Sequence, residues 1–300
     1  MTVYEIVTER IIEKLERGVI PWRKPWRGPG RPVNAISRRP YTGVNFFLLA
    51  SSRFASPFWL TWNQVHELGA SIREGERFEI VVFWKVYFRD NRDGTEIEEH
   101  DPEMPDDAAS LDNLGAKRRF VLRFYRVWNV EQVELPETVR SRFQVETRAI
   151  DPIAEAERII ANMPNAPAIE YQGSLAFYRP TTDTVVLPPR ESFISPEGFY
   201  QSIYHELLHS SGHPKRLARP GITESIHFGS ERYSREELIS ELGAAFLCAA
   251  AGIDNATLDD HAAYLKGWLD ALKADKRAIV QAAAQAQKAA DYILNRTPSE

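Results

Sequence analysis

Two histidines and a glutamate in the sequence HELLH are the residues best suited to do chemistry. His205, Glu206 and His209 lie in a segment whose apolar residues recur at helical spacing from Phe199 to Leu207. Because four residues make about one turn of an α-helix, His205 and His209 lie on one face and can bind the same ion. We therefore predict a metal site with these two histidines as ligands. Zinc is the metal we expect, with another divalent ion such as Mn²⁺ as the alternative.

A catalytic zinc site also needs a third protein ligand and an open position for water. In metzincins the third ligand is a histidine in the pattern HExxHxxGxxH. Gly212 fits that pattern, but Lys215 stands where the histidine would be, so the pattern is excluded. His213 is close in sequence. It follows Gly212 beyond the predicted helix end and would need an unusual turn to reach the ion.

A second predicted helix, from Ser234 to Gly252, offers a better third ligand. Glu237 and Glu241 are four residues apart on one helix face, where two like charges favour a cation or a hydrogen-bond donor between them. We expect Glu237 to bind the ion and Glu241 to orient a ligating imidazole. The alternative is that Ser234 and Glu237 form a capping box, in which case Glu241 would bind the ion.

These residues predict a hydrolase. A bound ion lowers the pKa of its water to about 7, and Glu206 would take that proton and deliver it to the leaving group. Tyr233 precedes Glu237 by four residues and is a candidate donor to an oxyanion. The alternative for Tyr233 is an ordinary packed tyrosine.

The elements that must position these residues divide into two groups. Thr2 and Glu5 predict a capping box at the start of a first helix. Residues 78–88 and 119–130 are rich in β-branched and aromatic residues, which predicts two strands that pair with each other. The helix that carries the histidines is predicted over 196–211, with Ser195 as its N-cap.

The predicted fold class is therefore α+β. We expect a small mixed-sheet domain over residues 1–135, a linker over 136–149 and a mainly helical domain over 150–300. The strand signals end near Pro136, and helical patterns dominate from about Ala154 onward.

Composition limits the class of protein. The chain has 300 residues, of which 43% are hydrophobic and 26% charged, as in an average globular protein. Its longest uncharged apolar stretch, Leu242 to Ile253, is too short for a membrane span, and Glu5 and Glu9 argue against a signal peptide. The single cysteine, Cys248, excludes an internal disulfide and a cysteine-based zinc cluster. We expect a cytoplasmic protein without a membrane partner.

A basic and aromatic segment near the start of the chain is the candidate site for an anionic partner. The net charge is −5, yet residues 1–60 hold 10 lysines and arginines against 4 acids, and residues 61–135 hold 10 against 16. Basic residues alternating with indoles suit single-stranded DNA, because cations neutralise phosphates while bases stack on rings. The candidate DNA-binding residues are Trp22, Arg23, Lys24, Trp26, Arg27 and Arg31, with Arg38, Arg39, Tyr41 and Asn45 behind them.

The alternative interpretation of this segment is a loop that its tryptophans anchor on the domain core while its arginines are simply solvated. Three further tryptophans, Trp59, Trp62 and Trp84, lie in more apolar surroundings. We expect these three to be mostly core residues.

Motifs over most of the chain resemble those of one family. The early segments IPWRKPW, YTGVN, FWLTWNQV, GASIREGE and VVFW resemble the N-terminal domain of ArdC-type antirestriction proteins of conjugative plasmids, which is related to a segment of TraC primases. The later segments YHELLHSSGHPKRLAR and FGSERYSREELISELGAAFLCA resemble the metallopeptidase domain that follows in the same proteins.

The resemblance implies a single-stranded DNA-binding domain joined to a zincin-like domain akin to the SprT or Spartan proteases. It also implies a role in protecting incoming plasmid DNA from host restriction, with a restriction-related or DNA-bound protein as the candidate substrate. The competing hypothesis is a non-catalytic DNA-binding protein whose metal site is only structural. A DNA-directed metallohydrolase is disfavoured, because phosphodiester chemistry usually needs two ions and more carboxylates.

Overall fold

The computed structural model describes residues 1–17, 20–21, 31–52, 54–89, 96–100, 117–144, 152–223, 231–253 and 261–296. Helices and strands in these ranges form an α+β fold, as predicted. Most of the sheet lies in the first half of the chain, and long helices fill the second half.

The N-terminal half is organised by a five-stranded sheet in the order β1-β2-β6-β4-β5. Its strands are β1 (Val33–Asn34), β2 (Phe58–Thr61), β4 (Glu79–Arg89), β5 (Glu96–His100) and β6 (Lys117–Asn129). β1 and β2 are parallel, and the other pairs are antiparallel. The two predicted strands are β4 and β6, and their predicted pairing is confirmed.

Helices and a small sheet surround these strands. The helices are α1 (Val3–Glu16), α2 (Val44–Ala50), α3 (Trp62–Glu67) and α4 (Glu137–Arg140), with short 3-10 helices at Val130–Gln132 and Ser141–Phe143. β3 (Ser71–Ile72) and β7 (Val133–Glu134) form an antiparallel pair. The capping box of α1 is confirmed: the Glu5 backbone N–H donates to Thr2 Oγ1, and the Thr2 backbone N–H donates to the Glu5 carboxylate.

The C-terminal half consists of long helices around a three-stranded sheet. The helices are α5 (Pro152–Ala161), α6 (Pro196–Ser211), α7 (Pro220–Thr223), α8 (Glu231–Ala251), α9 (His261–Ala274) and α10 (Ala278–Ile293), with a 3-10 helix at Arg190–Ser192. The sheet has the order β8-β10-β9, with β8 (Ala168–Tyr171), β9 (Phe177–Arg179) and β10 (Thr184–Leu187). β9 lies at one edge of this sheet.

One hydrophobic core runs through both halves. It joins side chains of α1 and α2 to side chains of α6, α8 and α10. Phe246 on α8 lies 5.0 Å from Phe46 and 4.7 Å from Phe47 between ring centroids. In addition, the Thr8 hydroxyl on α1 donates to the backbone carbonyl of Lys276 at 2.6 Å. The two halves are therefore packed against each other through a shared apolar core, with polar contacts beside it.

Two sequence-based expectations need correction. α8 begins at Glu231, three residues before the predicted start at Ser234, because its helical pattern extends into polar residues. Trp59 is a core residue, but Trp62 and Trp84 are 53% and 44% exposed, so the expectation that they are core residues is wrong.

Among the helices that the structure describes, none has the length and hydrophobicity of a membrane-spanning segment.

Candidate metal centre

Local sequence fixes the helix that presents the two histidines. The Gly198 backbone N–H donates to Ser195 Oγ at 3.1 Å, and Pro196 occupies the first turn, where a missing N–H costs nothing. α6 then buries its apolar side and leaves His205 and His209 on the opposite face. Their Nε2 atoms lie 3.1 Å apart.

α8 brings a carboxylate to this pair of imidazoles. Glu237 Oε2 lies 3.5 Å from His205 Nε2, and Glu237 Oε1 lies 3.5 Å from His209 Nε2. The two helices approach closely because Gly243 faces Leu208, and a Cβ atom at position 243 would overlap that buried leucine side chain. Since α8 starts at Glu231, Glu237 lies inside the helix and is not part of an N-terminal capping box.

These three side chains fit a tetrahedral divalent ion. Two ligand atoms at zinc distances of 2.0 to 2.1 Å and a tetrahedral angle are separated by about 3.3 Å. The two Nε2 atoms are 3.1 Å apart, and each lies 3.5 Å from one oxygen of the Glu237 carboxylate, Oε2 for His205 and Oε1 for His209. Within the part of the chain that the structure describes, these three residues form a group of histidine and acid side chains that could hold a metal ion.

The site has the electrostatics of a cation site. Burial disfavours the charged form of His205, but the hydrogen bond to Glu237 and the carboxylates of Glu206 and Glu241 outweigh it and raise the pKa of His205 to about 9. Burial likewise disfavours ionised Glu237. Hydrogen bonds from His205 and Tyr233 and the nearby imidazoles outweigh it and lower the pKa of Glu237. Both shifts follow from carboxylates packed around the imidazoles, an arrangement that favours positive charge at the site.

The imidazole nitrogens that face away from the ion position also have oxygen partners. Glu241 Oε1 lies 3.6 Å from His205 Nδ1, and Ser240 Oγ lies 3.0 Å from His209 Nδ1. Glu236 Oε1 is 3.8 Å from the same His209 nitrogen. Such contacts fix the orientation of the rings.

Arg219 anchors the Glu236 carboxylate. Its guanidinium donates to Glu236 Oε1 at 2.5 Å, to Ser211 Oγ at 2.7 Å and to the Leu208 carbonyl at 2.6 Å. Arg219 and Glu236 are each 5% exposed, so this is a buried and fully hydrogen-bonded ion pair. It connects the turn after α6 to α8.

A cavity of about 320 Å³ opens beside the three ligand atoms. The cavity is lined by Ala176, Phe177, Tyr178, Pro180, His205, Glu206, His209, Gly221, Ile222, Tyr233, Glu236 and Glu237. Glu206 is buried at 7% exposure and Tyr233 reaches the cavity wall one helical turn before Glu237. The arrangement can hold a small molecule or a peptide bond next to an ion, an acid and a phenol.

His213 lies away from this cluster. Its Nδ1 atom is 3.9 Å from Asp183 Oδ2, and it accepts a hydrogen bond from the Lys215 backbone N–H. Asp183 is in turn held by the Arg216 guanidinium and by the Tyr178 hydroxyl at 2.8 Å. His213 thus belongs to a polar cluster that ties the β9–β10 turn to the end of α6.

The predicted DNA-binding residues fall into two groups. Trp22, Arg23, Lys24, Trp26 and Arg27 lie outside the described residues. Of the others, Arg38 and Arg39 are exposed, and the Arg38 guanidinium stacks on the Phe58 ring at 4.4 Å.

Three of these candidates make packing or hydrogen-bonding contacts within the protein. The Asn45 side chain bonds to both the N–H and the carbonyl of Val82, and Tyr41 is buried at 5% exposure. The Arg31 guanidinium lies over the Phe46 and Phe246 rings. Tyr41 and Asn45 are buried and Arg31 is partly buried, and a role of these three residues in DNA binding stays a prediction.

Sequence reasoning missed the residues that support the ligands. Ser240 is three residues after Glu237, so helical spacing could have placed it near the site. Arg219 and Glu236 carried no comparable signal, because their pairing depends on how the chain folds back after α6. The exposed aromatic residues of β4 and β6 were missed for a different reason: an apolar strand pattern does not show which face is covered.

Comparison with known proteins matches both halves of the chain. The model for the N-terminal domain of anti-restriction factor ArdC matches residues 1–128, and the model for a zincin-like metallopeptidase matches residues 154–285. The uncharacterized protein y4eC of Sinorhizobium fredii is 36% identical over 97% of this chain and 91% of its own length. DNA primase TraC of Escherichia coli is 34% identical over 97% of this chain, which spans only 27% of that primase.

Two solved structures resemble this chain over almost its full length. The metal-free crystal structure of the antirestriction ArdC protein from R388 plasmid has a TM-score of 0.73 and 31% identity, covering 99% of this chain and 100% of that one. The Mn(II)-bound structure of the same protein has a TM-score of 0.72 and covers 98% of each chain. From full-length similarity in sequence and fold, this chain belongs to the ArdC antirestriction family.

Proposed function

We propose that this chain is an antirestriction protein that binds single-stranded DNA and carries a zinc-dependent peptidase site. The proposed peptidase activity rests on the convergence of His205, His209 and Glu237 beside Glu206 in an accessible cavity. Membership of the ArdC family supports the proposed antirestriction role. The action is placed in the cytoplasm, where incoming DNA meets restriction enzymes.

Zinc is the proposed ion because two imidazoles and one carboxylate are the donors of a common catalytic zinc site. A structural zinc site is usually closed by four protein ligands. Here the described residues supply three, and a cavity adjoins them. Mn²⁺ is the alternative, because the related ArdC protein has an Mn(II)-bound structure.

Each residue of the site has a proposed role in peptide hydrolysis. A bound ion supplies Lewis acidity and acidifies its water. Glu206 would accept a proton from the attacking water as its oxygen bonds to the carbonyl carbon, and would deliver that proton to the leaving amine as the C–N bond breaks. The Tyr233 hydroxyl, which also reaches Glu237, donates a hydrogen bond to the developing oxyanion. Glu241 and Ser240 keep the His205 and His209 rings in their ligating orientation.

The cavity wall favours an extended peptide as the substrate. Phe177 and Tyr178 of β9 line the cavity, and β9 is an edge strand in the described sheet. An extended chain can pair with such an edge and place a peptide bond near the ion. The substrate we propose is a restriction-related or DNA-bound protein of the host.

A Glu206→Gln variant tests the peptidase proposal. We expect cleavage of labelled casein, with and without added single-stranded DNA, to fall by about 10²- to 10⁴-fold, because the general base is lost. Elemental analysis should find the same zinc content as in the wild type, whereas His205→Ala should lose zinc. DNA affinity should be unchanged in both variants.

The competing function is a DNA-binding protein with a structural metal. A wild-type protein that retains zinc but cleaves no protein substrate would favour it. So would a Glu206→Gln variant that protects unmodified plasmid DNA in a restricting host as well as the wild type does.

A further inference from the structure

Three large aromatic side chains are exposed on the paired strands β4 and β6. We call this pair of strands the aromatic ribbon. Phe120, Trp84 and Phe124 are 59%, 44% and 39% exposed. Exposed apolar side chains that cluster on one surface mark interaction sites more often than isolated ones do.

The strand register places these three rings on one face. Val82 pairs with Phe124, Trp84 pairs with Leu122, and Val86 pairs with Phe120. Paired residues of antiparallel strands point to the same side, and so do residues two apart on one strand. Trp84 therefore lies diagonally between Phe124 and Phe120, as the central ring of a row of three.

The inner part of the same face is covered. Ile80, Val82 and Leu122 are buried in the core with side chains of α1. The Tyr4 ring, at the start of α1, meets the Trp84 ring edge-on at 6.3 Å. The aromatic row thus begins where the cover provided by α1 ends.

The ribbon is also strongly basic. β4 and β6 together contain seven lysines and arginines and one acid, Glu79, in a chain of net charge −5. Glu79 forms an ion pair with Arg10 at 3.0 Å. β6 contains five of these basic residues and no acid, while β5 adds three glutamates on the outer side of β4. By the strand register, Arg126 and Arg118 belong to the face of the three rings, and the other five basic residues belong to the opposite face.

We propose that the face of the ribbon with Trp84, Phe120 and Phe124 is the surface on which bases of single-stranded nucleic acid stack. Stackable rings beside basic residues are what single strands require, because every base has a face that can stack and every phosphate a charge to neutralise. A duplex would keep its bases stacked on each other and leave these rings unused. This inference rests on the proposed single-stranded DNA binding and assigns it a surface.

Alanine substitutions at the three positions test the proposal. Fluorescence anisotropy with a labelled oligothymidine should show affinity losses of about 5- to 150-fold for each ring that stacks a base. The dependence of log Kd on log salt should keep its slope, because no phosphate contact is removed. Trp62→Ala is the matched control: Trp62 is equally exposed, but it packs on Trp128, about 26 Å along β6 from Phe120.

Cross-linking of the wild type gives a second measurement that does not depend on variant folding. Oligonucleotides with 5-iododeoxyuridine should cross-link to peptides that contain Trp84, Phe120 or Phe124. Cross-links confined to other segments, or wild-type affinity in the triple alanine variant with unchanged circular dichroism, would overturn the ribbon proposal alone. Loss of self-association with unchanged DNA affinity would also overturn it and indicate a second copy of the chain as the occupant. If the wild type fails to bind single-stranded DNA, the proposed function fails too.

Discussion

At the scale of single residues, both metal-facing imidazoles are supported by oxygen atoms on α8. Glu241 approaches His205 Nδ1, and Ser240 approaches His209 Nδ1. An oxygen partner at Nδ1 leaves Nε2 free to face the ion position. The orientation of both candidate ligands therefore depends on residues outside the proposed ligand set.

We expect Glu241→Gln to weaken zinc binding without abolishing it. Loss of a carboxylate behind a ligating imidazole typically lowers metal affinity by about 10- to 100-fold. Competition with a chromophoric chelator measures this, and Glu170→Gln on the exposed strand β8 is the control. A Glu241→Gln variant that loses zinc as completely as Glu237→Gln would instead make Glu241 a ligand.

The Asp183 cluster has a pH dependence with a definite sign. Burial favours neutral Asp183, but hydrogen bonds from Arg216 and Tyr178 outweigh it and lower the pKa of this carboxyl. A lowered pKa stabilises the folded state above the unfolded value of about 3.9, and the stabilisation is lost as the pH falls through the folded value.

Asp183→Asn should therefore be destabilising at neutral pH and less so in acid. We expect a loss of about 2 kcal/mol in the free energy of unfolding at pH 7, since a hydrogen-bonded charge pair is broken. Below pH 4 the wild type and the variant should converge. Urea titrations of the metal-free proteins at both pH values measure the difference, and a constant difference would contradict the assignment.

At the scale of elements, the metal centre depends on how closely α6 and α8 approach. Gly243 provides the room, because any side chain there meets Leu208, which is fully buried. At this helix separation the carboxylate of Glu237 lies 3.5 Å from both histidines. We therefore expect helix packing and metal binding to be linked through Gly243.

Substitution of Gly243 should reveal this link. Helix propensity alone predicts that Gly243→Ala raises stability by about 1 kcal/mol. We expect no such gain with alanine, and a loss of about 1 to 3 kcal/mol with valine, because overpacking separates the helices. Zinc affinity should fall in the same order. A stabilised alanine variant with normal zinc affinity would contradict this prediction, because it would show that a side chain at position 243 fits between α6 and α8.

At the scale of the whole molecule, the two family-defined parts share one core. Phe246 of the metallopeptidase part packs on Phe46 and Phe47 of the N-terminal part. Buried aromatic contacts of this kind stabilise both sides at once. We therefore expect the two parts to unfold together.

Phe246→Ala tests this cooperativity. Removal of a buried phenylalanine typically costs about 3 to 5 kcal/mol of unfolding free energy. Six of the seven tryptophans lie at or before residue 128, so tryptophan fluorescence reports the N-terminal part. Zinc release reports the other part. Both transitions should coincide in the wild type and shift together in the variant; two separate transitions would contradict the shared core.

Local sequence determined the parts of this protein that depend on short-range geometry. The pairing of His205 with His209 follows from a four-residue step in a helix, and the capping box of Thr2 and Glu5 follows from a three-residue step. The bounds of α6 and the pairing of β4 with β6 were predictable for similar reasons.

Tertiary structure decided what depends on contacts between distant segments. The closeness of Glu237 to the histidines depends on where α8 crosses α6. Trp84, which we expected in the core, is exposed because α1 does not extend over the outer part of the ribbon. Asn45, which we expected at a DNA-binding surface, is buried because α2 packs against β4. An amino-acid pattern encodes which residues favour burial, but only the folded chain determines which of them find a partner to cover them.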